Sequence, residues 1–158
     1  VRTNVASTNG SAAKSEWLDL SEKAAATQNI VGGDWEYVDS NADDCGDGGA
    51  HWGITRLGPG VPEAERNDLF DRVQTAWKAF GWDAARTKLG GDAPGLQLRY
   101  PASGVREDGF YIEFDSTVHG TTIGAQTSCA AGDVDQLAKE QFAYNNTPGR
   151  TPSATPTP

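Results

Sequence analysis

The chain has 158 residues and a formal net charge of −9, enough length for one domain with a hydrophobic core. Its 13 basic residues against 22 acidic ones argue against nucleic acid as a partner and against electrostatic adsorption to anionic lipid. No apolar run reaches membrane-spanning length; methionine is absent, so Val1 is expected to begin a mature or trimmed product whose targeting signal lay upstream.

Residues 1–10 are small and polar and read as a flexible leader, which would serve as a tether if a membrane anchor sat upstream. Ser11 suits the cap of a first helix over residues 12–28, with Ala13, Trp17, Leu20 and Ala24 on its buried face. Asn29 and the pair Gly32 and Gly33 end it. Residues 35–38 form a short strand, with Trp35 and Tyr37 on one side and Glu36 on the other. Residues 39–49 are a loop of Asp, Asn and Gly that carries Cys45. Residues 51–57 follow as a strand with Trp52 and Ile54 inward, and Gly58, Pro59 and Gly60 turn the chain.

The clearest helix covers residues 62–80. Pro62 suits the first helical position, Glu63 and Glu65 favour the positive end of the dipole, and Leu69, Phe70, Val73, Ala76, Trp77 and Phe80 make one apolar stripe. Gly81 can take the left-handed conformation that stops a helix, folding Trp82 back toward Trp77. Residues 83–89 read as one or two further helical turns, and residues 90–95 as a loop.

Clean alternation then begins. Leu96, Leu98 and Tyr100 face one way and Gln97 and Arg99 the other, until Pro101 stops the strand. After a polar loop over residues 102–109, Phe110, Ile112 and Phe114 alternate with Tyr111, Glu113 and Asp115. A turn at His119 and Gly120 leads into a strand over residues 121–129, with Thr121, Ile123, Ala125 and Thr127 on the face shared by Cys129. Asp133 can cap a last helix with Val134, Leu137, Ala138 and Phe142 inward. From Asn145 onward the Thr/Pro-rich composition cannot bury apolar surface and is expected to be disordered.

The pattern predicts an α+β fold: one domain over residues 11–144, a two-layer sandwich with helices on one face of an antiparallel sheet of about five strands. The other face would carry Glu36, Gln97, Arg99, Tyr111, Glu113 and Asp115.

Few residues carry a chemical signature. In an exported protein Cys45 and Cys129 read first as one disulfide; the alternative is two buried thiols in a cytosolic one. Neither sits in a zinc-ligand spacing. The Asp-rich run from Asp39 to Asp44 begins like a calcium loop, but places Asp44 where glycine is required and Ala50 where glutamate is. Gly46, Gly48 and His51 imitate the start of a dinucleotide-binding glycine pattern without its third glycine, and precede a strand instead of following one. His51 and His119 have no recognisable nucleophile motif beside them. Glu113 and Asp115 lie two apart on one strand, so both project from one face, as a carboxylate pair acting on sugars would. On an open sheet face they read as solvated charge. The five tryptophans, Trp17, Trp35, Trp52, Trp77 and Trp82, read mainly as core, with lining of a carbohydrate or lipid groove as the alternative. No catalytic residue, cofactor or metal is assigned.

The run Thr121-Thr122-Ile123-Gly124-Ala125-Gln126-Thr127-Ser128-Cys129 is an alternating strand ending in cysteine. Together with the Trp-containing segment from Trp35 to Cys45 and the helix bearing Trp77, Gly81 and Trp82, it resembles small actinobacterial cell-envelope lipoproteins. The resemblance covers roughly residues 12–130 and implies export, a two-layer α/β domain, one disulfide and an N-terminal lipid-modified cysteine, which this sequence lacks. It implies no catalytic residues. The expected function is that of a monomeric, non-enzymatic envelope domain binding an unidentified protein or envelope component, with any membrane contact made through an upstream lipid anchor. Alternatives are an immunity or inhibitor protein whose acidic surface meets a secreted basic enzyme, and a carboxylate-dependent hydrolase.

Overall fold

The computed structural model describes residues 11–46, 48–92, 94–102 and 109–145. The expected leader (residues 1–10), the tail from residue 146 and most of the polar loop over residues 102–109 lie outside these. In chain order the elements are α1 (Ser11–Val31), β1 (Glu36–Tyr37), β2 (Asp43–Gly46), β3 (Gly49–His51), β4 (Gly53–Gly58), α2 (Glu63–Ala79), β5 (Ala85–Leu89), β6 (Gly95–Tyr100), β7 (Tyr111–Thr117), β8 (Thr121–Gln126), β9 (Ala130–Ala131) and α3 (Val134–Asn145). The fold is α+β. Six strands form an antiparallel sheet in the order β1-β4-β8-β7-β6-β5, and β2, β3 and β9 form a separate sheet with β3 in the middle.

The central helix forms and stops as its residues dictate. Pro62 caps α2 in an extended conformation, and Glu63 and Glu65 occupy the first turn. Leu69, Phe70, Val73 and Trp77 are buried along one face. At the other end Gly81 takes φ +95°. Its N–H donates to the Lys78 carbonyl at 3.0 Å, and the Trp82 N–H donates to the Trp77 carbonyl at 2.9 Å. This is the paired closure that a left-handed glycine permits. It brings the Trp82 ring edge-on to Trp77, with centroids 5.5 Å apart.

Register then decides what that helix meets. Leu98, Phe114, Ile123 and Arg56 lie side by side across β6, β7, β8 and β4. Phe114 receives Phe70 at 4.9 Å and Trp77 at 6.3 Å between ring centroids. The first helix enters through Thr27, whose hydroxyl accepts from Trp77 Nε1 at 3.0 Å and donates to the Lys23 carbonyl. As read from the sequence, Ala13, Trp17, Leu20 and Ala24 are buried. Asp133 caps α3, its Oδ1 accepting from the Gln136 N–H at 3.0 Å.

Several elements differ from expectation. Residues 83–89 are not helical: β5 pairs along β6 from Ala85↔Arg99 to Leu89↔Gly95, so the main sheet has six strands. Tertiary pairing overrides a stretch whose side chains show no apolar alternation. The expected loop over residues 39–49 contains β2. The expected strand over residues 51–57 breaks at Trp52, where the chain passes from one sheet to the other. Thr127 bridges the break, its Oγ1 accepting from the Trp52 N–H at 2.9 Å and its N–H donating to the Trp52 carbonyl at 3.0 Å. The strand expected over residues 121–129 therefore ends at Gln126. Phe142, expected inward, is 66% exposed. Gln141 takes the inward place because it satisfies both Trp52 Nε1 and the Ser40 carbonyl.

Cys45 and Cys129 are joined, with Cα atoms 5.8 Å apart and a sequence separation of 84. A loop of that length contributes about 4–5 kcal/mol in the chain-entropy model. The bridge spans the small sheet, connecting β2 to the residue before β9 across β3. Gly49 lies beneath it: a Cβ there would sit 2.7 Å from Cys129 Sγ and 3.1 Å from Cys45 Sγ. Such a bond belongs to an oxidising, extracytoplasmic environment, and no helix among the described residues is long and apolar enough to cross a membrane.

Trp77→Ala is expected to cost about 3–5 kcal/mol in urea unfolding, the usual loss for a fully buried large aromatic; a loss under about 0.5 kcal/mol would place the ring at the surface. Gly49→Ala is expected to push the two sulfurs aside and to cost roughly 1–3 kcal/mol as an overpacking change. In a dithiothreitol titration read by alkylation and mass spectrometry, the variant's bridge should then open at a lower reductant concentration than that of the unaltered protein.

Candidate functional site

Two regions gather chemistry-bearing side chains. The first is the sheet face built from the outward positions of β6, β7 and β8. The register sets Gln97 beside Asp115 and Arg99 beside Glu113. Arg99 Nη1 donates to Glu113 Oε1 at 2.9 Å, and its guanidinium lies over the Tyr111 ring at 5.4 Å. The face is less open than the sequence suggested: Tyr111 is buried, and Asp115 Oδ1 is shut away from water with no hydrogen-bond partner among the described residues.

Burial pushes the Asp115 carboxyl up to about 7, helped by its hydrogen bond with Glu113 and by the negative charge there. The Gln97 amide and the Arg99 charge pull the other way. Glu113, beside it on β7, is held by the Arg99 cation.

The second region is a groove of about 270 Å³ between α1 and α3. Trp17 and Trp52 form its floor, their rings stacked 5.2 Å apart and inclined by 21°. Leu137 and Gln141 come from α3, and Leu18 stands at the rim, 42% exposed. An ion pair joins the two helices at the groove, Lys14 Nζ to Glu140 Oε1 at 2.7 Å. The hydrogen bond from Lys14 holds the Glu140 carboxyl below its usual range, with Gln136 adding to it. The lining is mostly apolar with a few convergent polar groups, which is the general character of ligand sites.

The other candidates are accounted for individually. Asp39 is no cation ligand: it is buried against Arg56, which donates from Nε and Nη2 at 3.0 and 2.7 Å, and it also accepts from the Thr55 N–H. Burial pushes the Asp39 carboxyl up while the guanidinium and the N–H pull it back. His119 lies in the β7–β8 turn, its N–H held by Thr117 Oγ1, and His51 pairs with Asp43 across β2 and β3. No group of three or more His, Cys, Asp or Glu among the described residues is placed to hold a metal.

Sequence reasoning missed the Arg56–Asp39 pair, although the signal was present. Trp52 and Ile54 were read as inward, and the next alternate position is Arg56. Gln141 was missed for the corresponding reason, since a polar residue on an amphipathic helix reads as outward.

No family model matches the chain, and no curated protein matches it. Among solved structures it is similar to the crystal structure of a DUF4853 family protein from Actinomyces odontolyticus ATCC 17982, at 15% identity, covering 87% of this chain and 76% of that one, with a TM-score of 0.45.

Asp115→Asn tests the sheet-face cluster. The unfolded carboxyl titrates near 3.9 and the folded one near 7. The folded protein therefore holds a proton that the unfolded chain releases between these values. The group's contribution to stability is present below about pH 4 and is lost as pH rises through about 7. Relative to the unaltered protein, the variant should gain on the order of 1–2 kcal/mol between pH 4 and pH 8, after discounting for solvent screening. Denaturant midpoints across that range measure it, and a constant difference between the two proteins would show that Asp115 titrates normally.

Proposed function

We propose that the chain is the domain of an exported, non-enzymatic cell-envelope protein, of the small lipoprotein type, that binds another protein or a small envelope component. The observation that carries this reading is the preformed groove between α1 and α3, in which two stacked tryptophans would receive an apolar group. Its volume suits one bulky side chain or a short acyl segment. The Lys14–Glu140 pair supplies charges of both signs for orienting the group's polar neighbours. The disulfide supports the extracytoplasmic placement. In this reading α1 and α2 form one layer over a single face of the main sheet, and the groove opens at the N-terminal end of α1.

N-acetyltryptophanamide and sodium decanoate, titrated into nitrogen-15-labelled protein, probe for a side chain and an acyl chain respectively. One of them is expected to shift the Trp52 indole N–H resonance in a saturable way. Leu18→Glu, a change at the exposed rim, should weaken that binding about tenfold, the equivalent of losing one buried aliphatic contact. If neither probe moves the Trp52 resonance, the groove is not the binding site.

A further inference from the structure

At the opposite end of α1 lies a second, larger cleft, of about 630 Å³, whose walls include Gln28, Asn29, Asp34, Trp35 and Tyr37. We infer that this cleft is a saccharide-binding site. The inference goes beyond the groove proposed above and stands whether or not that groove binds anything.

The aromatic walls are fixed before any ligand arrives. Trp35 donates its Nε1–H to the Gly32 carbonyl at 3.0 Å. Its ring also lies against Gly58 so closely that a Cβ there would be 2.6 Å from two of the ring carbons. Gly32 reaches this turn with φ +81°, a conformation natural to glycine. Tyr37 is held from inside the protein. Its hydroxyl accepts from Gln28 Nε2 at 3.2 Å, and the Arg56 guanidinium sits over its ring at 4.4 Å. Arg56 in turn is locked by Asp39 and by Gln28 Oε1 at 2.7 Å. The buried charge pair thus fixes Gln28 and Tyr37 together. Trp35 and Tyr37 remain half-exposed, and Asn29 and Asp34 are exposed.

A pyranose ring offers C–H groups on its flat faces and hydroxyls around its edge. A fixed aromatic surface serves the faces, and planar amide and carboxylate groups serve the hydroxyls, since each can accept or donate more than one hydrogen bond. The cleft has both. Among the described residues no lysine or arginine lines it, so a phosphate or other anion would find no countercharge from them. The cleft is also deeper in polar character than the α1–α3 groove and has room for more than a single ring. A preorganised wall reduces the ordering cost that weakens binding of a flexible, strongly hydrated ligand.

The test uses the full chain with nitrogen-15 labels. Maltotriose and N,N′-diacetylchitobiose are titrated separately, with choline chloride and sodium phosphate as comparators. One of the sugars is expected to shift the Trp35 indole N–H resonance in a saturable way, and neither comparator should. Trp35→Ala should remove the binding. Asn29→Ala, at an exposed position that leaves the core untouched, should weaken it roughly tenfold, as loss of one well-placed hydrogen bond would. A folded protein whose Trp35 resonance moves with neither sugar overturns the inference. So does a shift produced by choline or phosphate in place of sugar, which would make the cleft a site for ions, and so does undiminished binding in Asn29→Ala.

Discussion

The seat of the Trp77 indole governs the arrangement of the rest. The ring is wholly out of water and meets three structures at once. It packs edge-on against Trp82, which the end of α2 folds back, and against Phe114 in the middle of the sheet. Its nitrogen is held by Thr27 on α1. One side chain therefore sets the spacing between the two long helices and of both from β7. Trp82 carries the seam onward to Tyr100 and Phe110, at 6.3 and 5.7 Å between centroids. Because interiors are close-packed, such a seam tolerates little change in volume at any of its members.

What the sequence revealed of this follows from where the signals are local. The helix stop at Gly81 depends on residues that touch within one turn, so it is legible. The same holds for the Asp133 cap and for the alternation in β6 and β7. The disulfide followed from a count of two cysteines. The elements that escaped are those decided by distant partners. Ala85 to Leu89 becomes a strand only because β6 presents an edge to it. The break at Trp52 is enforced by Thr127, 75 residues away. The α1–α3 groove depends on the turn of Gln141 toward Trp52, and the cleft at the far end of α1 depends on Arg56 finding Asp39 beneath Tyr37. No window of neighbouring residues contains these encounters.

The Arg56–Asp39 pair also illustrates what a buried charge is for. Removing two ions from water costs about as much as their attraction returns, so the pair adds little net stability, while deleting one partner would strand the other at a cost of about 3–5 kcal/mol. Its contribution is positional. Asp39 accepts from Arg56 and from the Thr55 N–H, and Arg56 reaches Gln28, so the loop after β1, the strand β4 and the end of α1 are brought to one point. The carboxyls on the opposite sheet face show the contrasting case, in which burial beside a like charge leaves a proton on Asp115 near neutral pH.

The margin of the main sheet at β5 has a bearing on solubility. One side of this strand pairs with β6, and the other side offers its backbone N–H and carbonyl groups to any passing strand. A second molecule adding itself antiparallel, centred on Thr87, would set each Arg86 against the neighbour's Lys88, so both contacts would join like charges. The opposite margin, β1, is only two residues long and gives a visiting strand little to grip. With a net charge of −9 adding long-range repulsion between whole molecules, the fold carries its own defence against growing into a ribbon at high concentration.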